Sequence, residues 1–521
     1  VKLSRDDEVL VQQNPVKMER PGTGIPMPDP AASTKGLAQG KLGLMASTVI
    51  GLGSTAPLYS LAATLGFIVM AAGAQAPVAL IAAFIPMCLT AFAYRELNTA
   101  VPDAGTAFTW ASKAFGPRTG WFAGWGVFVA GVIVMASQSE VASRYFFLLL
   151  GDGSLATSKV VVTTVGALII ALMTWVSYRA VEAGAFAQYA LMILQYLAII
   201  AFCIGLGLAL LHGGGTLPFS WEWFNPFASG NPAGFMQAVL IAIFIYWGWD
   251  TCLSLAEETK NPRTTPGLAA LLSTVTLLIT YIGMTVLAMM YAGTGASGKG
   301  LSNPAGAEDV FYGLRGDALG PYGWVLVFAV FVSALSTCQT TILPTARGTF
   351  SMGVYKALPR RFAGITPKYQ TPGFSTMFMG VVSILFYVGM TIISGDILSD
   401  TIESTSLAVA LYYAITSFAC IVYFRRNLFD SARNTVFRFV LPLLGGLMMT
   451  AVFIFSAVSM FSPDYGTTTL LGTSGTFVMG VGSLLLGLVV MAVWSRFPGA
   501  REYFAGRSLN RDTEVKVPET Y

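Results

Sequence analysis

The chain has 521 residues, of which 55% are hydrophobic and only 11% charged, with a net charge of +4. A soluble protein of this length needs a mostly polar and charged shell, so this balance excludes that class and makes lipid the outer solvent. The small positive excess is too slight to indicate a nucleic-acid partner and reads instead as marks of membrane topology.

Residues 1–42 are polar, with Pro15, Pro21, Pro26, Pro28 and Pro30, and read as a flexible tail lacking the apolar core of a cleavable leader. Twelve apolar stretches follow, near 43–69, 76–97, 118–150, 159–178, 183–211, 235–258, 267–292, 321–350, 374–394, 402–424, 436–460 and 474–495. At about 1.5 Å per residue each can cross roughly 30 Å of hydrocarbon. Residues 496–521 are polar again. An all-α membrane protein with twelve transmembrane helices is expected.

Orientation follows from the connections. With the N-terminus inside, cytoplasmic segments hold 26 of the 30 Lys and Arg residues, the outer connections hold Lys159, Lys299 and Arg315, and Arg144 lies within the third span. The excess of cations on one side places both termini in the cytoplasm, in a multi-pass protein of the inner membrane. Cys88, Cys203, Cys252, Cys338 and Cys420 all fall in apolar stretches without a Cys-x-x-Cys pair, so they read as small core residues. His212 ends an apolar run and reads as interfacial.

Two spans carry unusual centres. The first contains Gly51, Gly53, Ser54, Thr55 and Pro57; the sixth contains Tyr246, Trp247, Gly248, Trp249 and Asp250. Glycine and proline weaken a helix there, and freed backbone groups at that depth are tolerated only where they line protein or a cavity. Paired interruptions five spans apart point to a transport site. Among ionisable residues inside spans, Asp250 stands at the proposed break. Glu140 and Arg144 are four apart and are expected to pair along one helix face, and Glu403, near the outer end of the tenth span, is expected to face water. No phosphate-binding loop occurs, a single histidine excludes His-rich metal sites, and Gly293-x-Gly295-x-x-Gly298 lacks the strand–turn–helix context of a dinucleotide fingerprint. The chain does not read as an enzyme.

The residues then resemble a family. Pro102, Ala104, Gly105 and Phe108, followed by Gly116, Pro117, Gly120 and Trp125, resemble a pattern of the amino acid–polyamine–organocation transporters. Glu257, Glu258, Lys260, Asn261, Pro262, Arg263 and Pro266 resemble its signature after the sixth span, and Arg347, Met352, Leu358, Pro359, Thr371 and Pro372 a degenerate third motif. The resemblance implies the five-plus-five inverted repeat of the leucine-transporter type, with repeats at 43–211 and 235–424, an outer connection at 212–234 and two peripheral helices at 436–495. It implies a substrate held between the two broken helices, with a carboxylate at the amides of Gly53, Ser54 and Thr55, Gly131 and Met135 as the pocket floor, Phe244 as a closing aromatic, and Gly248 and Asp250 at the amine. Thr55 and Pro57 depart from the usual Gly-Ser-Gly loop.

The leading expectation is a secondary active importer of an amino acid or related amine. The alternatives are a substrate/product exchanger, a polyamine or alkanolamine permease, and a transporter-like sensor that does not transport. Coupling to Na⁺ is favoured over H⁺, because Gln195 stands where proton-coupled relatives carry lysine. Ser336 and Thr337, with the carbonyls of Ser47 and Ile50, would then form an oxygen-lined Na⁺ site. Hydroxyls bonded to neighbouring helices, and a proton carried by Asp250, are the competing readings. No cofactor is expected beyond the coupling ion. The expected partners are a small amine-bearing substrate and the bilayer, with the protein as a monomer or homodimer.

Overall fold

The computed structural model describes residues 35, 37, 40–179 and 182–514, with the side chains of 182–187 left aside. The prolines of the N-terminal tail and the last seven residues lie outside the described residues. Within them the chain is helical, apart from one small hairpin pairing Thr469–Leu470 with Thr473–Ser474.

The helices, in chain order, are α1 (Leu44–Thr55), α2 (Pro57–Ala72), α3 (Ala76–Ala100), α4 (Ala107–Phe115), α5 (Pro117–Leu149), α6 (Lys159–Arg179) and α7 (Glu182–Leu211). They continue as α8 (Pro232–Tyr246), α9 (Thr251–Ser254), α10 (Thr265–Ala292), α11 (Val310–Leu319), α12 (Gly323–Val354), α13 (Gly373–Ile393), α14 (Ile397–Tyr423), α15 (Leu441–Met460) and α16 (Ser483–Trp494). Eleven helical runs among the described residues are long and apolar enough to cross a bilayer. The first, Leu44–Ala100, is 57 residues long and takes in α1, α2 and α3.

Burial sorts the helices into a core and a lipid-facing shell. Helix α14 is buried along most of its length and packs on α5, α8 and α15, while α5 also packs on α12. Outer helices keep one apolar face open, with Leu385 at 68% and Ile392 at 79% exposure on α13, and Val458 at 70% on α15. Such faces would be intolerable in water and are ordinary in lipid. Small residues bring the core helices together: a Cβ at Gly131 on α5 would lie 2.3 Å from Thr345 Oγ1 on α12. Gly131, expected on a pocket floor, faces Thr345 at this helix contact.

Two expectations are corrected by where helices begin and what covers them. Helix α14 starts at Ile397, capped by the Asp396 carboxylate on the Ser399 amide, five residues before the expected 402. Glu403 therefore sits in the second turn rather than at a frayed end, and it is only 3% exposed. Arg144 does not bond Glu140. It reaches across to Glu308 and, at 2.8 Å, to Asp309, because those carboxylates precede α11 on the same end of the bundle. Glu140 accepts instead from Tyr387 at 2.5 Å.

Candidate functional site

The first break is dictated by Pro57. A proline disfavours the helical region for the residue before it and brings no amide of its own. Ala56 accordingly leaves the helix with φ 45° and ψ 70°, and Pro57 opens α2 at its first position. The second break follows Tyr246, where Trp247 is extended and Gly248 takes φ 119° before the short α9. A side chain at Gly248 is excluded twice over: by that φ, and because a Cβ would lie 2.8 Å from Ser54 C and 2.9 Å from both Ser54 O and Thr55 N. The two breaks therefore touch backbone to backbone in the middle of the bundle.

Hydroxyls satisfy the carbonyls that the first break frees. Thr337 donates to Ser54 O at 2.8 Å, Thr340 to Gly53 O at 3.4 Å, Ser60 to Thr55 O at 2.5 Å and Thr55 to Leu52 O at 2.7 Å. Ser54 and Thr251 share a hydrogen bond of 2.7 Å across the breaks, and Tyr281 donates to Ile245 O at 2.7 Å beside the second. Helix α1 is regular through Thr55, so the amides of Gly53, Ser54 and Thr55 belong to its own ladder. The expected carboxylate cradle is not formed by them. Amides that face the break come from α2, where Pro57 has none and the Tyr59 amide is taken by Ser333 Oγ at 3.2 Å.

Asp250 and Trp247 are the two residues of the second break that remain partly open, amid fully buried neighbours. The Tyr412 hydroxyl connects them, accepting from Trp247 Nε1 at 2.5 Å and donating to Asp250 Oδ2 at 3.3 Å. Behind them Tyr94 packs edge to face on Trp249 and Tyr413, and those two rings pack tilted on each other, at 5.2–5.3 Å, so the carboxylate is set beside a cluster of aromatic rings. Phe244 lies one turn before the break, 4% exposed, with its ring edge-on to Tyr59 at 6.5 Å. Met135 is fully buried.

The four residues expected to share an ion are not brought together. Thr337 is level with Ser54 through their hydrogen bond, four residues past Ile50 and seven past Ser47 on α1. At about 1.5 Å per residue that is an axial offset of roughly 6 and 10 Å, whereas two ligands of one ion are at most about 5 Å apart. Ser336 turns to Gln188 Oε1 at 2.7 Å. Ile50 packs with Leu42 and Leu255, and the Ser47 hydroxyl is buried without a partner among the described residues. Gln195 accepts from Ser333 at 2.7 Å, linking α7 through α12 to the start of α2.

Three further glutamines were not singled out from the sequence. Gln138 donates to Thr341 at 2.9 Å, and Gln188 to Gln339 at 3.3 Å, giving a belt of neutral amides and hydroxyls between α5, α7 and α12. An amide inside an apolar span was the available signal, because lipid leaves such a group no partner.

The end of the bundle that is rich in Lys and Arg is closed by buried charge. Lys35 bonds Asp103 at 2.6 Å and Glu257 at 2.7 Å, Tyr355 donates to Asp103 at 2.7 Å, and the Ala104 amide donates to Glu257 at 2.8 Å. Arg347 holds Glu258 at 2.5 Å, and Leu42 bridges to Thr259 in parallel β fashion. Burial opposes ionisation of Asp103, but Lys35, Tyr355 and Thr109 outweigh it and leave its pKa below the ordinary value; burial likewise opposes the Lys35 ammonium, and its two carboxylates hold its pKa above the ordinary value. The signature residues Glu257 and Glu258 thus seal this end. Lys35 could not be assigned a partner from spacing alone.

Many apolar helices around two touching helix breaks define a membrane transport protein rather than an enzyme. The chain matches the amino acid permease family over residues 42–492 and belongs to it. It is 24% identical over 327 residues to a methylthioribose transporter of Bacillus subtilis, covering 60% of this chain and 67% of that protein. It is 30% identical over 198 residues to a branched-chain amino acid permease of Lactococcus lactis, covering 36% and 41%. Identity to a low-affinity putrescine importer of Escherichia coli is 25% over 350 residues, covering 66% and 74%.

Proposed function

We propose that the chain is a secondary active transporter that imports an amino acid or related amine by alternating access and draws on a cation gradient. In this reading Leu44–Ala100 crosses twice, giving twelve spans arranged as a five-plus-five inverted repeat with two peripheral helices. The Lys- and Arg-rich end, with both termini, faces the cytoplasm. The observation that carries it is the partly open Asp250 carboxylate beside two helix breaks in backbone contact. A carboxylate beside a cluster of aromatic rings suits an ammonium group by charge and by cation–π attraction. Relatives named for branched-chain amino acids and putrescine fit that substrate class.

One observation favours a second reading, a carboxylate-free amine. The break offers an anion few free amides, with none at Pro57 and that of Tyr59 bonded to Ser333. A thermal-shift panel of amino acids, polyamines and alkanolamines, followed by counterflow in proteoliposomes, tests both. Binding of amines by the wild type and its loss in Asp250→Asn is expected. Tight binding of only neutral or anionic ligands would refute the proposal. Uptake with Na⁺ replaced by K⁺ at fixed pH identifies the coupling ion, and counterflow without an imposed gradient separates exchange from symport.

A further inference from the structure

Away from the central breaks, a glutamate is sealed inside the protein without a counter-charge among the described residues. Glu403 on α14 is 3% exposed, and its burial is by protein rather than by lipid. Its hydrogen-bond donor is neutral: Gln237 Nε2 on α8 reaches Glu403 Oε1 at 2.8 Å. The Tyr465 phenol faces it from the loop after α15.

The groups on every surrounding element leave it unpaired. Helix α8 carries Tyr246, at its far end, as its one titratable side chain; α15 carries none, and neither does the segment 475–482. On α3 the charged residues are Arg95 and Glu96, at the opposite end of the bundle, where Glu96 bonds Arg433 and Arg438. On α4 the charged residue is Lys113, held there by the carbonyls of Asn510, Arg511 and Thr513. On α5 the groups at the same end as Glu403 are Glu140, bonded to Tyr387, and Arg144, bonded to Glu308 and Asp309. The nearest charged groups are carboxylates: Asp396 at the cap of α14, and Asp400 three residues before Glu403. Asp400 has three hydroxyl donors, Ser394 at 2.7 Å, Thr468 at 2.6 Å and Thr476 at 2.8 Å. Asp400 thus has three donors, whereas Glu403 has two, the Gln237 amide and the Tyr465 phenol. A charge on Glu403, sealed from water with two neutral donors and no cation in contact, would be expensive to keep there; the nearest ammonium on that side, Lys159, is held by the Ser394 carbonyl at 2.9 Å.

The position gives this a consequence. Gln237 and Phe244 are seven residues apart on α8, and Glu403 and Tyr412 nine apart on α14, so the Glu403–Gln237 contact lies roughly 10–14 Å outward of the gate aromatic and the Asp250 site. It closes the seam between the two helices on the outer side. We propose that Glu403 is a proton-binding site: the outer seam closes only over the neutral carboxyl, so each closure takes one proton from the outer water onto a Glu403 oxygen, and reopening returns it. The inference rests on the transport reading for its orientation and its consequence, but the proton site itself does not.

Two measurements test it separately. The first needs no substrate: infrared titration of the purified protein should show a protonated-carboxyl band near neutral pH that is missing in Glu403→Gln. The second is counterflow with external pH varied. On the alkaline side of its titration a one-proton closure loses up to about tenfold per pH unit, so wild-type rates should fall with rising pH. Rates in Glu403→Gln, which keeps a partner for Gln237, should be flat, and Glu403→Asp should restore a displaced pH dependence. A carboxyl band that survives in Glu403→Gln, or an unchanged pH profile in that variant, overturns the proposal. If no amine supports counterflow in the wild type, the transport reading fails, and the infrared band still decides the proton site.

Discussion

The contact between the two breaks makes Gly248 the most sensitive position in the centre. A methyl there must move from 2.8 Å to at least 3.4 Å from the Ser54 carbonyl carbon, so the breaks must part by about 0.6 Å. These obstacles are backbone atoms and cannot rotate away. The Ser54–Thr251 bond, now 2.7 Å, would stretch to about 3.3 Å, beyond the usual hydroxyl range. Losing it costs roughly 0.5–1.5 kcal/mol, and holding alanine at φ 119° costs about 1–3 kcal/mol more. Gly248→Ala should therefore be destabilised by about 2–4 kcal/mol, equivalent to roughly 2–4 °C in the unfolding midpoint of a chain this long, with substrate counterflow largely lost. Gly53→Ala is the control. Its Cβ would also meet an atom at 2.8 Å, but that atom is Gln188 Oε1, the end of a flexible side chain, and Gly53 is helical. It should cost less than about 1 kcal/mol, partly offset by the better helix propensity of alanine. Detergent thermal unfolding and counterflow on both variants decide the matter. Equal stability and activity in the two would refute the claim that backbone contact between the breaks shapes the site.

Phe244→Ala should abolish uptake while Phe244→Trp restores most of it, because the ring closes against Tyr59; unchanged uptake in both would make it ordinary packing. Arg347→Ala should cost about 3–5 kcal/mol by stranding Glu258 in the core, and adding Glu258→Gln should recover a large part of the unfolding midpoint. Lys35→Met leaves Asp103 and Glu257 without their cation; it should raise thiol labelling at a cysteine placed beside Ala104 from the cytoplasmic side, and labelling no faster than in the parent would count against a latch there.

Spans and interruptions were legible in the sequence because both are local. Apolar length specifies a span, and Pro57 and Gly248 specify where the helix cannot continue. What each break exposes was not legible. The amides of Gly53, Ser54 and Thr55 were expected to be free, yet the helix runs on to Thr55, since a proline acts on the residue just before it. The four proposed ion ligands are apart for a related reason: hydroxyls every few residues along α12 make several registers look alike, and long-range bonds such as Thr337–Ser54, Thr340–Gly53 and Ser336–Gln188 tell them apart. Glu403 is not exposed as expected because its cover comes from residues some sixty to seventy positions further on, where Tyr465 and Thr476 fold back over the start of α14. Long-range cover of this kind leaves no periodic trace.

The distribution of charge also argues for how the molecule works. Between the ends, the helices that must move meet through hydroxyls and amides, as in Gln188–Gln339 and Gln138–Thr341. Neutral bonds of this kind contribute about 1 kcal/mol each and can be exchanged for others. Buried ion pairs are different, since separating one strands both charges. Lys35–Asp103–Glu257 and Arg347–Glu258 close one end, whereas the α8–α14 seam at the other is held by Gln237 on a single carboxyl. Of these two the neutral seam is the cheaper to open, so on the transport reading the resting protein should favour opening at that end, the outer one in the proposed orientation. On the transport reading, opening the Lys- and Arg-rich end would then draw on the free energy of what binds at Asp250, which would tie the costly step of the cycle to an occupied site.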